Sequence, residues 1–159
     1  MLNRVRDSIQ NSKKNKLLEY FPLACIIPRC NIDKKEELGK GAFGIVYAGD
    51  YTDSSGIVHK DVAIKEQPIS KDKDELEELS NEVYLMRIAS LCKQTPDLID
   101  VVLDMEEHRM YIIMQRIKGI SLKDFIEDKS KQYGDLKNYW TFLTIAKQLV
   151  HGLDCIHKT

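Results

Sequence analysis

The sequence lacks the features that mark nucleic-acid-binding and membrane proteins. Its 24 Lys and Arg residues are offset by 25 Asp and Glu, giving a formal net charge of −1. A protein that neutralises a phosphate backbone needs a basic excess, and no apolar run approaches the roughly 18 residues of a membrane-spanning helix. We therefore expect no nucleic acid and no membrane among its partners.

Paired cysteine motifs and a secretion signal are also missing. Cys25, Cys30, Cys92 and Cys155 form no Cys-x-x-Cys pair and have no companion histidine at metal-ligand spacing, so we expect no metal site and four reduced thiols. The N-terminus continues polar after Met1, without the apolar stretch and cleavage site of a secretory signal. These absences favour a cytoplasmic or nuclear location.

Composition and patterning predict a globular α+β domain. At 159 residues, with 43% hydrophobic and 31% charged residues, the chain is long enough for one ordinary core. β-branched and aromatic residues around a glycine-rich turn predict two strands between residues 32 and 51, and a third strand follows at 62–64. Two more strands at 98–104 and 110–115 complete an expected five-stranded antiparallel sheet.

Helices are expected where apolar residues recur every three or four positions. The first runs from about residue 73 to 92, a short second helix begins after Gly119 with Ser121 as its N-cap, and the last covers 136–157. The apolar stripe of the first helix consists of Leu76, Leu79, Val83 and Met86. The apolar face of the last helix consists of Tyr139, Phe142, Ala146, Leu149, Leu153 and Ile156.

Residues 1–31 are interpreted as an N-terminal leader. Leu2, Val5 and Ile9 have near-helical spacing, which suggests a short amphipathic helix. A solvated helix face explains this pattern more simply than a partner-binding helix does. The sequence assigns the leader no function.

A glycine-rich motif lies between the first two strands. Residues 39–46 read Gly-Lys-Gly-Ala-Phe-Gly-Ile-Val, and the missing side chains let backbone N–H groups approach phosphate oxygens closely. A plain hairpin turn and a dinucleotide-binding loop are the alternatives. The dinucleotide-binding loop must open a helix, whereas Ile45, Val46 and Tyr47 continue as a strand.

A lysine and a glutamate supply the charges that a nucleotide site needs. Strand alternation puts Ala63 and Lys65 on one face of the Val-Ala-Ile-Lys segment at 62–65. Ala63 leaves room for a flat base, and the ammonium of Lys65 can reach phosphates. Glu82 borders the buried stripe of the first helix, and because an unpaired buried carboxylate is costly, Lys65 is its expected partner. Glu78 is the second choice of carboxylate.

In this order and at these spacings, the glycine motif, the Val-Ala-Ile-Lys strand and the inward glutamate resemble the N-terminal lobe of eukaryotic-type protein kinases. The resemblance covers about residues 34–159. It implies a kinase N-lobe at 32–114 with one regulatory helix, a hinge at 115–120, and two helices in 121–159 that begin the C-lobe.

The same resemblance implies ATP as the cofactor. Val46 and Ala63 would flank the adenine, and the backbone of residues 41–44 would cover the phosphates. Lys65, steadied by Glu82, would hold the α and β phosphates. The residues implied in nucleotide binding are Gly39, Lys40, Gly41, Ala42, Phe43, Gly44, Val46, Ala63, Lys65, Glu82, Met114, Gln115, Ile117 and Ser121.

The resemblance also assigns roles near the hinge. Met114 is either the gatekeeper at the back of the adenine pocket or a core strand residue. Backbone groups of Gln115 and Ile117 would bind the adenine edge, and Ser121 falls where the family contacts the ribose.

The strings that perform phosphoryl transfer in this family do not occur in the chain. The His-Arg-Asp loop would be expected a few residues beyond Thr159 and the metal-binding Asp-Phe-Gly further on. No catalytic residue and no Mg²⁺ ligand is therefore assigned, and the 159 residues alone are expected to be inactive.

Two function classes remain open. The first is a protein kinase, active in its full-length form, that uses ATP and Mg²⁺ to phosphorylate protein hydroxyls, on Ser or Thr rather than Tyr. The second is a catalytically inactive, kinase-like binding or scaffold module. The apolar face of helix 136–157 is expected to be exposed, as in a truncated product or a fragment of a longer kinase; a dimer or a partner protein covering that face is the alternative.

Overall fold

A computed structural model describes residues 15–42, 44–92, 95–129 and 135–158. The strands are β1 (Cys25–Ile26), β2 (Asn31–Gly41), β3 (Gly44–Thr52), β4 (Val58–Pro68), β5 (Leu98–Asp104) and β6 (Arg109–Gln115). The helices are α1 (Lys73–Ala89), α2 (Leu122–Lys129) and α3 (Asp135–Lys158), and residues 15–20 are also helical.

The strands form one sheet in the order β1-β5-β6-β4-β3-β2. The pairs among β2 to β6 are antiparallel, as expected. The expectation of five strands is wrong by one, because β1 adds a sixth strand at the edge, parallel to β5, with Cys25 opposite Val102. A two-residue strand between Pro22 and Pro28 is too short to show alternation, so its sequence carries no strand signal.

The sheet carries an apolar core on each face. Lys65 lies opposite Val46 and Ile112 in the register, and directly opposed residues of antiparallel strands project to the same side. The core on the Lys65 side contains the buried side chains of Phe21, Leu76, Val83, Val101, Leu103, Met110 and Ile112. The core on the other side contains Cys30, Tyr51, Val62, Ile64, Val102, Tyr111 and Ile113.

Helix α1 packs on the Lys65 side through its predicted stripe. Leu76 and Val83 are buried there, and Leu79 and Met86 pack against the same core. The side chain of Asp72 caps the helix by accepting from the backbone N–H groups of residues 74 and 75, which satisfies donors that have no intrahelical partner. The helix ends at Ala89 rather than near residue 92. A tighter turn follows directly after Ala89.

The expectation of four reduced thiols is wrong for two of the cysteines. Cys92 and Cys155 form a disulfide with their Cα atoms 6.0 Å apart and 63 positions apart in the sequence. Spacing along the chain cannot reveal this pair, because the fold brings the turn after α1 beside α3. Cys25 and Cys30 are free, and burial raises the pKa of the Cys30 thiol. The cysteines therefore no longer favour a reducing compartment.

Helix α3 leaves large apolar side chains exposed. The members of its predicted stripe that the structure leaves exposed are Tyr139, Phe142, Leu149, Leu153 and Ile156, and Trp140 is exposed with them.

In the described part of the chain, no helix combines the length and apolar character needed to cross a membrane.

Part of the segment interpreted as a leader is packed against the sheet. Phe21 is 4% exposed and Cys30 is 6% exposed, and β1 lies between them. Leu2, Val5 and Ile9, which suggested an amphipathic helix, lie outside the described residues. Residues 17–30 therefore contribute to both cores rather than only to the solvated surface.

Gln67 is the polar exception inside the core. It lies opposite Met110 at the end of β4, on the Lys65 side of the sheet, and is 2% exposed. Neither its side-chain nitrogen nor its side-chain oxygen has a hydrogen-bond partner in the described part of the chain. A buried amide that makes no hydrogen bond costs about 1–3 kcal/mol of stability.

Replacing this amide should stabilise the protein. Gln67→Met keeps the side-chain length and removes the unpaired polar atoms, so we expect the free energy of unfolding to rise by about 1–3 kcal/mol. Denaturant titration measures the change. Gln148→Met, the same change at an exposed position of α3, should alter stability by less than about 0.5 kcal/mol. A loss of stability in Gln67→Met would contradict this interpretation.

Candidate functional site

The glycine motif forms the tip of the β2–β3 hairpin. Gly39 lies opposite Val46, and Gly41 lies opposite Gly44. Gly44 has φ 149°, and a Cβ there would lie 2.1 Å from the carbonyl oxygen of Glu66, so no other residue fits without moving β4. A Cβ at Gly39 or Gly41 would meet no atom within 4 Å.

Around Gly39 and Gly41, the described residues therefore leave the hairpin open. Lys40 and Ala42 are exposed, and Phe43 lies outside the described residues. The strand that continues from Gly44 excludes the dinucleotide-binding alternative, in which a helix must begin at this point. A glycine-rich tip of this kind leaves backbone groups accessible to a ligand or to water.

Lys65 and Glu82 form the expected ion pair. The Lys65 Nζ lies 2.5 Å from Glu82 Oε1, with the two side chains 19% and 37% exposed. Glu82 reaches the sheet because it lies one helical turn from Leu79 and Met86, which pack against the core beneath α1. Glu78, the second choice, is exposed. The pair fixes an ammonium group on the sheet face below the glycine hairpin.

Small and apolar side chains surround Lys65 on this face. Ala63 is 7% exposed and lies opposite Ala48 and Met114 in the register. Val46 and Met114 are half-buried, and Met114 also packs against the core beneath α1. An apolar surface of this kind can accept a flat base. The ammonium and the exposed glycine backbone beside it can donate hydrogen bonds to phosphates.

The segment after β6 is held by an acidic residue of β4. Asp61 accepts from Arg116 Nη1 at 2.7 Å and pairs with Lys118 Nζ at 2.6 Å. The backbone N–H of Gln115 donates to the carbonyl of Asp97, so any backbone contact of Gln115 with a base goes through its own carbonyl. Ile117 is 64% exposed.

Ser121 is the N-cap of α2, as the sequence predicts. Its Oγ accepts from the backbone N–H of Asp124 at 3.1 Å and donates to the Asp124 carboxylate at 2.6 Å. The Ser121 hydroxyl is thus engaged within the helix terminus, and a contact with a sugar would have to share it.

Comparison with known proteins settles the family. The family model described as protein tyrosine and serine/threonine kinase matches residues 32–159. The chain belongs to the protein kinase family. The match includes β2 to β6, α1 and both residues of the Lys65–Glu82 pair.

Curated protein kinases of three different organisms are similar to this chain. It is 29% identical over 126 residues to the serine/threonine-protein kinase unc-51 of Caenorhabditis elegans, covering 79% of the chain and 14% of that protein. It is 30% identical over 150 residues to the serine/threonine-protein kinase KIC1 of Saccharomyces cerevisiae, covering 94% and 12%. It is 30% identical over 127 residues to myosin light chain kinase A of Dictyostelium discoideum, covering 78% and 40%. The matched parts thus span between 12% and 40% of the length of these relatives.

The family uses ATP together with Mg²⁺, and the two fit the described residues differently. The ammonium, the glycine backbone and the apolar face suit the nucleotide. In the described ranges, no group of three or more His, Cys, Asp or Glu side chains could hold a metal ion. The described residues thus offer Mg²⁺ no such cluster of protein ligands.

Sequence reasoning missed the contacts of Asp61 with the segment after β6. This residue has φ 55°, a left-handed conformation that Asp and Asn adopt more readily than most residues. Lys118, and then Arg116, lower the pKa of the Asp61 carboxyl below its ordinary value. The basic pair at 116 and 118 was a signal for an acidic partner, but the sequence could not say which carboxylate.

The Asp61 contacts should make stability depend on pH. Since the folded-state pKa is below the unfolded value of about 3.9, the stabilisation is present above that pH and is lost as the pH falls through the folded pKa. Asp61→Asn keeps a residue suited to φ 55° and removes the charge. We expect it to lower the unfolding temperature at pH 7, and the difference from wild type to shrink below about pH 4.

Thermal unfolding followed by circular dichroism between pH 3 and pH 7 measures this difference. Asp33→Asn is the control, because Asp33 is exposed and makes no ion pair within the described residues. If the difference in unfolding temperature between wild type and Asp61→Asn stays constant across this pH range, the stabilising role of the Asp61 charge is contradicted.

Proposed function

We propose that this chain is the ATP-binding part of a protein kinase that phosphorylates Ser or Thr hydroxyls of proteins. The observation that carries the proposal is the Lys65–Glu82 ion pair, which lies on the same sheet face as Val46 and Ala63. The serine/threonine kinases among the relatives support the choice of hydroxyl.

Each part of the site has a role in holding the nucleotide. Val46 and Ala63 contact the adenine, and Met114 limits the depth of the pocket. The carbonyl of Gln115 and backbone groups of Ile117 bind the adenine edge. The bound nucleotide supplies the transferable γ-phosphoryl group.

The phosphate end depends on charge and on backbone groups. Backbone N–H groups between Gly39 and Gly44 lie over the phosphates, and Lys65 donates to the α and β phosphates. Glu82 holds the ammonium at that position before ATP binds. Lys65 therefore loses less side-chain entropy on binding than an unpaired, flexible lysine would. Ser121 contacts the ribose through the hydroxyl that also caps α2.

Removing the Lys65 charge should weaken ATP binding. A charge-assisted hydrogen bond is worth about 1.5–3 kcal/mol, so Lys65→Met should raise the dissociation constant by about tenfold or more. Titration of ¹⁵N-labelled protein with ATP, followed by NMR in the presence of EDTA, measures this dissociation constant. NMR is chosen because the wild-type dissociation constant is expected to be on the order of 1 mM.

Lys34 provides a matched control on the other face of the sheet. It also forms an ion pair, with Glu66 at 2.6 Å, and its ammonium lies over the rings of Tyr47 and Tyr111. Lys34→Met therefore removes a paired lysine charge from the same sheet and should leave ATP affinity unchanged. Equal weakening by both substitutions, or wild-type affinity in Lys65→Met, would refute the proposed site.

The 159-residue polypeptide should bind ATP without transferring phosphate. Transfer requires a carboxylate that orients the substrate hydroxyl, and the His-Arg-Asp string that carries it in this family does not occur in the sequence. Incubation with ATP, Mg²⁺ and Ser/Thr-containing peptides should yield no phosphopeptide by mass spectrometry. Autophosphorylation that Lys65→Met abolishes would overturn this expectation.

A further inference from the structure

The segment formed by residues 17–27, here called the N-terminal strap, lies outside the kinase match at 32–159. It nevertheless contacts both α1 and the sheet. The strap contains no residue of the glycine motif and neither member of the Lys65–Glu82 pair.

One end of the strap is bonded to α1. The Ser80 hydroxyl donates to the carbonyl oxygen of Tyr20 at 2.9 Å. Phe21 is 4% exposed and belongs to the same buried core as Leu76 and Val83 of α1. A hydrogen bond and a buried aromatic ring therefore hold this side of the helix against the strap.

The other end of the strap is bonded to the sheet. β1 pairs with β5 in parallel, and the backbone N–H of Ile27 donates to the carbonyl of Leu103 at 3.2 Å. Between the two ends the strap turns tightly, since the N–H of Ala24 donates to the carbonyl of Phe21 at 3.1 Å. The strap is thus a short, internally bonded connection from α1 to the sheet edge.

The strap contacts the turn of α1 that carries Glu82. Ser80 precedes Glu82 by two positions, and the buried Val83 follows it. The Glu82 side chain is 37% exposed, and partly exposed ion pairs gain little from their own attraction. The position of the carboxylate is therefore set by how α1 is packed, and the strap forms part of that packing.

We propose that Phe21 is a positioning residue for the nucleotide site, acting through α1 and Glu82 on Lys65. Its effect on ATP affinity rests on the proposed function, whereas its effect on α1 does not. Without the Phe21 ring, α1 moves away from the sheet for part of the time. If the paired state falls to about a tenth of the population, the apparent affinity for ATP falls about tenfold.

The test compares substitutions in the strap and at its contact with α1, made in the 159-residue chain. Phe21→Ala removes the buried ring, Phe21→Leu keeps an apolar side chain, and Ser80→Ala removes the hydrogen bond to Tyr20. Leu23→Ala is the matched control, because Leu23 is 70% exposed in the same strap. Circular dichroism shows which variants fold.

ATP affinity and hydrogen exchange of the α1 amides are measured for each folded variant. We expect Phe21→Ala to weaken ATP binding about tenfold and the two milder variants about two- to threefold, with Leu23→Ala unchanged. Should Phe21→Ala fail to fold, Phe21→Leu and Ser80→Ala decide the question.

A positioning role predicts non-additivity with Glu82. In a Glu82→Gln background the carboxylate is already neutral, so the strap substitutions should no longer weaken ATP binding. Persistence of the same loss in that background would show a general structural effect and overturn the proposal. So would wild-type ATP affinity in all folded strap variants.

The two proposals can fail separately. If the wild-type chain binds no ATP, the proposed function fails, but hydrogen exchange across residues 73–89 still tests the strap. Faster exchange there in Phe21→Leu and Ser80→Ala than in Leu23→Ala supports the positioning role. Equal exchange in all three overturns it.

Discussion

The contact between Lys65 and Glu82 links the two halves of the candidate site. Lys65 belongs to β4, and Glu82 belongs to α1, so their 2.5 Å contact requires the helix to lie on the sheet in one orientation. Because both side chains retain some exposure, the attraction between them is screened by water. The surrounding packing must therefore hold the pair together, and the site depends on how α1 is seated.

Three groups of residues seat the helix. The stripe from Leu76 to Met86 packs against the sheet, Asp72 caps the first turn, and the strap holds the middle turn through Tyr20 and Phe21. The sheet register places the apolar residues of the site. The pairing of β3, β4 and β6 aligns Val46, Ala63 and Met114 on the face that Lys65 occupies. A disulfide fastens the turn beyond the helix to α3.

The sequence predicted those parts of the fold that depend on local periodicity. The stripe of α1 repeats every three to four residues, and alternation in β4 assigns Ala63 and Lys65 to one face, so both features could be read before the fold was known. The Ser121 cap was also predictable, because Ser is a preferred N-cap residue and Asp124 adds negative charge in the first turn.

The features that sequence reasoning missed depend on contacts between distant residues. The two-residue β1 has no period to detect, and Cys92 meets Cys155 only because of how the chain folds. Asp61 could be assigned to Arg116 and Lys118 only once β4 and the segment after β6 lay side by side. The buried amide of Gln67 contradicts the preference of cores for apolar residues, so no pattern could have predicted it.

The central claim is that a nucleotide places its phosphates against Lys65. Its most direct test is labelling with an ATP derivative that carries an acyl phosphate, which acylates lysine amines next to bound phosphates, followed by mass spectrometry of the digested chain. Lys65 should be the main acylated lysine, and excess ATP should protect it. Labelling that is spread over exposed lysines and unaffected by ATP would contradict this assignment.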